Sequence, residues 1–222
     1  MRVACLGEVM LELSPLGSGD RSSYAMSVAR DTYNTAVMLQ RCGVDVGYFT
    51  RLGPDPFSND IIQRASAEGI DTSGMLTCGD TLPGLYTIQN SEDGERSFYY
   101  WRQNSPARSL FCESALVDDL EAALSAYDWL YLSGITVAVM ALNTPEAFKA
   151  CISRLKSKGV SVAFDPNYRP ALWPDHSTAL QWYETMLRLS DLVLPTFEDE
   201  QALWQAQDPQ AVIDHILSGG VE

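Results

Sequence analysis

The chain has no run of 18 apolar residues, so no segment reads as a bilayer-spanning helix. It carries only three lysines, Lys149, Lys156 and Lys158, and positive charge therefore rests mostly on arginines, whose planar forks suit carboxylates and phosphates. Lysine and arginine together number 15 against 29 aspartates and glutamates. The resulting charge of -14 repels nucleic-acid backbones and anionic lipid surfaces. Two histidines and five scattered cysteines, Cys5, Cys42, Cys78, Cys112 and Cys151, make no C-x-x-C pair and no metal-ligand spacing. The thiols read as free, in a reducing cytoplasm. The sequence also lacks G-x-x-x-x-G-K-[ST], G-x-G-x-x-G after a strand, and G-x-S-x-G. These absences count against P-loop, dinucleotide-binding and serine-hydrolase chemistry. The first eight residues hold too short an apolar stretch for a secretory signal.

What is present is an ordinary globular composition, 46% hydrophobic and 20% charged over 222 residues. At roughly 150 residues per domain, that suits one α/β domain with a smaller appended element. Residues 1–8 read as a buried strand ending in a glycine turn. Apolar periodicity predicts helices over 31–42, 57–68 and 209–217, with Gly43 and Gly69 as stops, and strands over 46–52, 128–132, 160–164 and 191–194. Alternating strands and helices predict a parallel sheet with crossovers. One segment breaks the rhythm: residues 84–89 and 96–101 flank Ser91-Glu92-Asp93-Gly94, whose Asp-Gly signals a hairpin. A second antiparallel pair, 9–13 with 22–28 around Gly17-Ser18-Gly19, completes a small projecting sheet suited to cover a ligand. The chain stops at Gly219-Gly220-Val221-Glu222, where another strand is expected, so a C-terminal truncation is expected too.

Three segments are candidates for chemistry. Asp31-Thr32-Tyr33-Asn34-Thr35-Ala36 opens a helix behind a lid strand; it reads either as an N-cap and first turn or as a polar edge of the cleft. Tyr100 and Arg102 share a face by strand alternation, with Tyr86 across the pair. They read either as a carboxylate clamp or as a solvated strand end. Asp165-Pro166-Asn167-Tyr168-Arg169-Pro170-Ala171-Leu172-Trp173-Pro174 follows a parallel strand at its carboxyl end, where α/β folds bind ligands, or is a purely structural loop.

In this order, and together with Gly7-Glu8-Val9-Met10-Leu11-Glu12-Leu13-Ser14, Leu52-Gly53-Pro54-Asp55-Pro56-Phe57-Ser58, Pro83-Gly84-Leu85-Tyr86, Gly94-Glu95-Arg96-Ser97-Phe98-Tyr99-Tyr100-Trp101-Arg102 and Leu132-Ser133-Gly134-Ile135, the segments resemble the PfkB (ribokinase-like) carbohydrate kinases. Among these the 2-keto-3-deoxygluconate kinases are the nearest resemblance, and it spans nearly the whole chain. It implies a three-layer αβα fold with a mainly parallel sheet and a small antiparallel β-lid, the lid segments lying at about 9–29 and 83–105 of a substrate-binding part that fills 1–222. It implies ATP and Mg²⁺ as cofactors and phosphorylation of an acidic sugar, 2-keto-3-deoxygluconate, to its 6-phosphate. Carried over, Arg30, Asn34, Tyr86, Tyr100, Arg102 and Arg169 would meet the substrate, and Asn167 and Arg169 the nucleotide. The resemblance also implies a homo-oligomer paired through the lid, since related kinases often pair lid edges to form dimers. The alternatives are a fructokinase- or ribokinase-type sugar kinase, or a non-catalytic sugar-binding fragment.

The family's catalytic Asp belongs to a Gly-Ala-Gly-Asp motif expected beyond residue 222, with the rest of the nucleotide-binding part, so the chain as written is expected to be inactive. Gly17-Ser18-Gly19-Asp20 is rejected for that role, because an extended segment and no helix follows it. Two departures stand out. Ala29-Arg30 occupies the place of a Gly-Gly that lets the backbone approach the sugar. Thr196-Phe197-Glu198-Asp199 replaces an Asn-x-x-Glu element that organises Mg²⁺, leaving Asp199 as a weak metal-side residue.

Overall fold

Strand β1 (Arg2–Leu6) turns Val3 and Cys5 to one face and Ala4 and Leu6 to the other, and all four are buried. A strand covered on both sides belongs to the interior of a layered α/β structure. The computed structural model describes residues 1–16, 23–77, 79–90 and 96–221. In it β1 lies between β4 (Asp45–Leu52) and β8 (Trp129–Ser133) in a six-stranded sheet. With β5 (Met75–Thr77), β9 (Ser161–Asp165) and β10 (Leu192–Val193) the order is β10-β9-β8-β1-β4-β5, and every pair is parallel.

Helices α1 (Asp31–Arg41) and α2 (Pro56–Ala67) cover the Val3/Cys5 face through Tyr33, Ala36, Ile61 and Ala65. The opposite face, with Ala4, Leu6, Leu130 and Phe164, packs against α3 (Ser114–Leu124), α5 (Pro145–Ser157), α6 (His176–Leu189) and α8 (Pro209–Ser218). The termini carry the expected local chemistry. Asp55 accepts hydrogen bonds from the Phe57 and Ser58 amides at 2.9 and 3.0 Å with Pro56 in the first turn, and Asp208 accepts from Ala211 at 2.8 Å before Pro209. Such caps stabilise a helix by about 1 kcal/mol each. Gly43 and Gly69 follow α1 and α2 with φ of 84° and 86°, the left-handed stop anticipated from sequence. No helix among the described residues is long and apolar enough to cross a membrane.

The second sheet differs from expectation. Strands β2 (Met10–Pro15) and β3 (Tyr24–Ala29) pair antiparallel, as do β6 (Gly84–Asn90) and β7 (Arg96–Trp101), but the order β3-β2-β6-β7 joins β2 to β6 in parallel. The lid is mixed and not purely antiparallel. Its topology follows from the main sheet: β2 leaves the carboxyl end of β1 and β6 follows β5, and β1 and β5 run the same way. Both turns of the lid, Gly17-Ser18-Gly19 with Asp20 and Ser91-Glu92-Asp93-Gly94, lie outside the described residues.

Candidate functional site

The carboxyl ends of β1, β8 and β9 converge on the N-terminus of α1, and two glycines permit the approach. A Cβ on Gly7 would lie 2.1 Å from Thr32 Oγ1, and one on Gly134 would lie 2.1 Å from the Pro166 carbonyl oxygen. Gly7 therefore lets α1 close against β1, and Gly134 lets the loop after β9 close against the end of β8.

Asp31 is the hub. Arg30 occupies the cap position of α1 without a side-chain bond, so Asp31 is no N-cap. Its carboxylate instead leaves the helix and accepts from Ser133 Oγ at 2.5 Å and Asn167 Nδ2 at 3.3 Å. Of the two readings of the α1 opening, the geometry favours the cleft. Ser133 also accepts from the Thr136 amide at 3.2 Å, which caps a short turn, α4 (Gly134–Thr136). Asn167 has φ 35°, a left-handed conformation that asparagine tolerates better than most residues, and its Oδ1 is buried without a partner. Beside it Asp165 accepts from Tyr131 OH at 3.3 Å. Burial foremost, then the negative charge of Asp31, raises Asp165 to about 6.

The lid reaches this hub through aromatic rings. Tyr86 and Tyr100 are cross-strand partners with ring centroids 5.7 Å apart, and the guanidinium of Arg30 sits 5.6 Å over Tyr100. The Tyr86 hydroxyl donates to Glu12 inside the lid, where Ser14 and Ser27 also donate to Glu12, at 2.8 and 3.2 Å. Burial, then the bond to Glu12, raises the Tyr86 pKa.

Arg102 is no solvated strand end. It is 6% exposed and ion-paired with Glu8, itself 2% exposed, at the point where β1 passes into the lid. Burial lowers its pKa, opposed by the charge of Glu8. Arg169 is largely exposed and binds Asp199 at 3.0 Å and the Tyr168 carbonyl at 2.6 Å. Thr196 caps α7 (Phe197–Trp204) by accepting from the Asp199 amide at 3.4 Å. Asn34 stands apart from the hub. It is exposed, accepts from the Arg30 amide at 3.4 Å, and lines an open hollow of about 460 Å³ between β3, α1 and α2.

Sequence reasoning placed Asp165 in a candidate segment without giving it a role, and did not single out Glu8, Glu12, Tyr131 and Ser133 as site residues. Their signal was positional: Glu8, Ser133 and Asp165 lie at or just past the carboxyl ends of parallel strands, the edge where such sheets bind ligands.

A parallel sheet between two helical layers, with its carboxyl edge under a lid sheet, defines a ribokinase-like three-layer α/β protein. The chain matches the pfkB family of carbohydrate kinases over residues 1–220, and it belongs to that family. It is 36% identical over 225 residues to the 2-dehydro-3-deoxygluconokinase of Escherichia coli (strain K12), covering 100% of this chain and 71% of that one. It is 27% identical over 192 residues to the fructokinase of Salmonella typhimurium, covering 86% of this chain and 59% of the relative. Among solved structures, a PfkB protein from Polaromonas sp. JS666 superposes with a TM-score of 0.86 at 26% identity, covering 99% of this chain and 73% of that one. The chain is thus a member of a sugar phosphotransferase family.

Proposed function

We propose that this chain binds 2-keto-3-deoxygluconate, the sugar acid also called 2-dehydro-3-deoxygluconate, and holds it for ATP-dependent phosphorylation to the 6-phosphate. One observation carries the reading: in a chain of net charge -14, the guanidinium groups of Arg30 and Arg102 stand buried beside Asp31 and the lid tyrosines, and although Arg102 also pairs with Glu8, the Nε of each has no acceptor among the described residues. A neutral hexose offers buried guanidinium groups only uncharged hydroxyl oxygens, whereas a sugar acid offers a carboxylate and the stronger charge-assisted bond. The likeness to enzymes named 2-dehydro-3-deoxygluconokinase supports the same substrate. Tyr86, Tyr100 and Arg102 form the lid wall of the site, Arg30 the α1 wall, with Asn34 one turn further along α1 on the adjoining hollow, and Asn167 and Arg169 the side turned to the nucleotide.

ATP supplies the phosphoryl group when bound. Arg169, with 52% of its side chain exposed beyond the Nη1 that binds Asp199, and the unpartnered Oδ1 of Asn167 are placed to meet a polar ligand at that edge. Among the described residues no three Asp, Glu, His or Cys side chains gather, and the Asp199 carboxylate accepts from Arg169. Among the described residues we assign Mg²⁺ no ligand and the alcohol proton no base. The chain's own contribution is to fix the sugar at the carboxyl edge and to keep water from it with the lid, the positioning on which phosphoryl transfer depends.

Calorimetric titration of the chain with 2-keto-3-deoxygluconate and with fructose tests the reading. The acid is expected to bind at least about tenfold more tightly, the margin of one hydrogen-bonded charge. Equal or tighter binding of fructose would place the chain with fructokinase-type relatives instead.

A further inference from the structure

A ligand with a carboxylate at one end and hydroxyls at the other can enter a cleft either way round, unless the cleft distinguishes the two ends. The charges of this site are sorted. On the lid side stand the guanidinium groups of Arg102 and of Arg30, the latter 5.6 Å over Tyr100. The lid-side acids are engaged, Glu8 in its pair with Arg102 and Glu12 by the hydroxyls of Tyr86, Ser14 and Ser27. On the side of the main sheet stand Asp31 and Asp165, and no arginine or lysine among the described residues hydrogen-bonds to either.

Asp31 is held from behind. Its Oδ2 accepts from Ser133 Oγ at 2.5 Å and from Asn167 Nδ2 at 3.3 Å, which fixes the carboxylate, and the side chain is 14% exposed. Oδ1 takes no hydrogen bond among the described residues, and Arg30 Nε stands 3.8 Å from it, too far for one. A carboxylate oxygen accepts and does not donate, so Oδ1 attracts a hydroxyl and opposes a second anion. Its field is felt next door, where burial and then the charge of Asp31 hold Asp165 up at about 6. Asn167, bonded to the same carboxylate, lies on the side assigned to the nucleotide. A sugar acid with its hydroxyl end at Asp31 therefore has its terminal alcohol toward the phosphoryl donor and its carboxylate toward the lid arginines.

We propose that Asp31 determines specificity at the hydroxyl end of the substrate: Oδ1 accepts from a hydroxyl remote from the substrate carboxylate, and its charge excludes a carboxylate there, so a sugar monoacid enters in one orientation and a sugar diacid is refused. The inference rests on the sugar-acid reading above. Its test is calorimetric titration of the 222-residue chain with 2-keto-3-deoxygluconate, with the diacid that differs from it only in a carboxylate in place of the C6 alcohol, and with fructose. Wild type is expected to bind the monoacid at least about tenfold more tightly than the diacid. In Asp31→Asn, Ser133 and Asn167 keep the side-chain carbonyl in the place of Oδ2, and the amide turns a donor toward the cleft where an acceptor stood. Monoacid binding is expected to weaken about tenfold, and its margin over the diacid to shrink below about threefold. A role confined to holding Ser133 and Asn167 in place weakens both acids alike, and an unchanged ratio overturns the proposal. Asp31→Ser, which also removes the charge, is read for the same ratio if Asp31→Asn does not fold. Wild type that binds the two acids within about threefold of each other overturns the proposal without any variant, and leaves the sugar-acid reading standing where fructose binds more weakly than the monoacid. Wild type with no preference for the monoacid over fructose overturns that reading, and this inference with it.

Discussion

Replacing Arg102 by Met removes one half of an ion pair whose side chains are 6% and 1% exposed. Glu8 then keeps a negative charge in a site that water does not reach, between the end of β1, Gly84 and the exit of β7. Breaking a buried pair from one side costs about 3–5 kcal/mol, mostly from the orphaned charge and not from the lost attraction. For a chain of this size each kcal/mol moves the melting temperature by about 2–4 °C, so a fall of roughly 6–20 °C is expected. The double variant Glu8→Gln/Arg102→Met removes the orphan and is expected to recover more than half of the loss, since a neutral, well-packed pair is often no worse than a buried ionic one. Urea unfolding of wild type, both single variants and the double variant closes the cycle, with a constant m value confirming that the unfolded states are comparable. An Arg102→Met loss below about 1 kcal/mol, the value of an exposed pair, would show that Glu8 and Arg102 are solvated, and the placement of Arg102 as a buried post of the lid would be wrong.

Asp165, raised from 3.8 to about 6, holds a proton in the folded chain that the unfolded chain has already lost, so it makes stability fall as pH rises from about 4 through 6. Asp165→Asn keeps an acceptor for Tyr131 and is expected to stabilise the chain at pH 7 by on the order of 1–2 kcal/mol, allowing for partial solvation. The gain vanishes near pH 4, and paired urea melts at the two pH values that give equal gains refute the account. Gly134→Ala sets a Cβ 2.1 Å from the Pro166 carbonyl, which must move. A loss of about 1–3 kcal/mol is expected. Weaker sugar binding should accompany it as Asn167 shifts, measured by thermal melts and titration together. Tyr183→Phe takes from the fully buried Glu200 a donor at 2.5 Å and leaves it Trp204 Nε1 at 2.6 Å, for an expected cost of about 1–3 kcal/mol in urea midpoints.

The order of elements was legible in the chain because local chemistry wrote it. Asp55-Pro56 and Asp208-Pro209 start helices, Gly43 and Gly69 end them, and β-branched and aromatic runs mark the parallel strands. Tyr86 and Tyr100 were legible as cross-strand neighbours, since a hairpin fixes its own register. The carboxyl edge as the place of the site followed from the same pattern. What the tertiary structure decided are the relations between distant residues. The parallel β2–β6 pair joins residues some seventy positions apart and has no local signal. Asp31 resembles an N-cap until Ser133 and Asn167, 102 and 136 residues away, are seen to take its carboxylate. Arg102 reads as a free cation until Glu8 is found against it in a space too dry to leave either charge alone. Local propensity reaches a few residues along the chain, whereas the charge state and the partners of a buried group depend on everything packed around it.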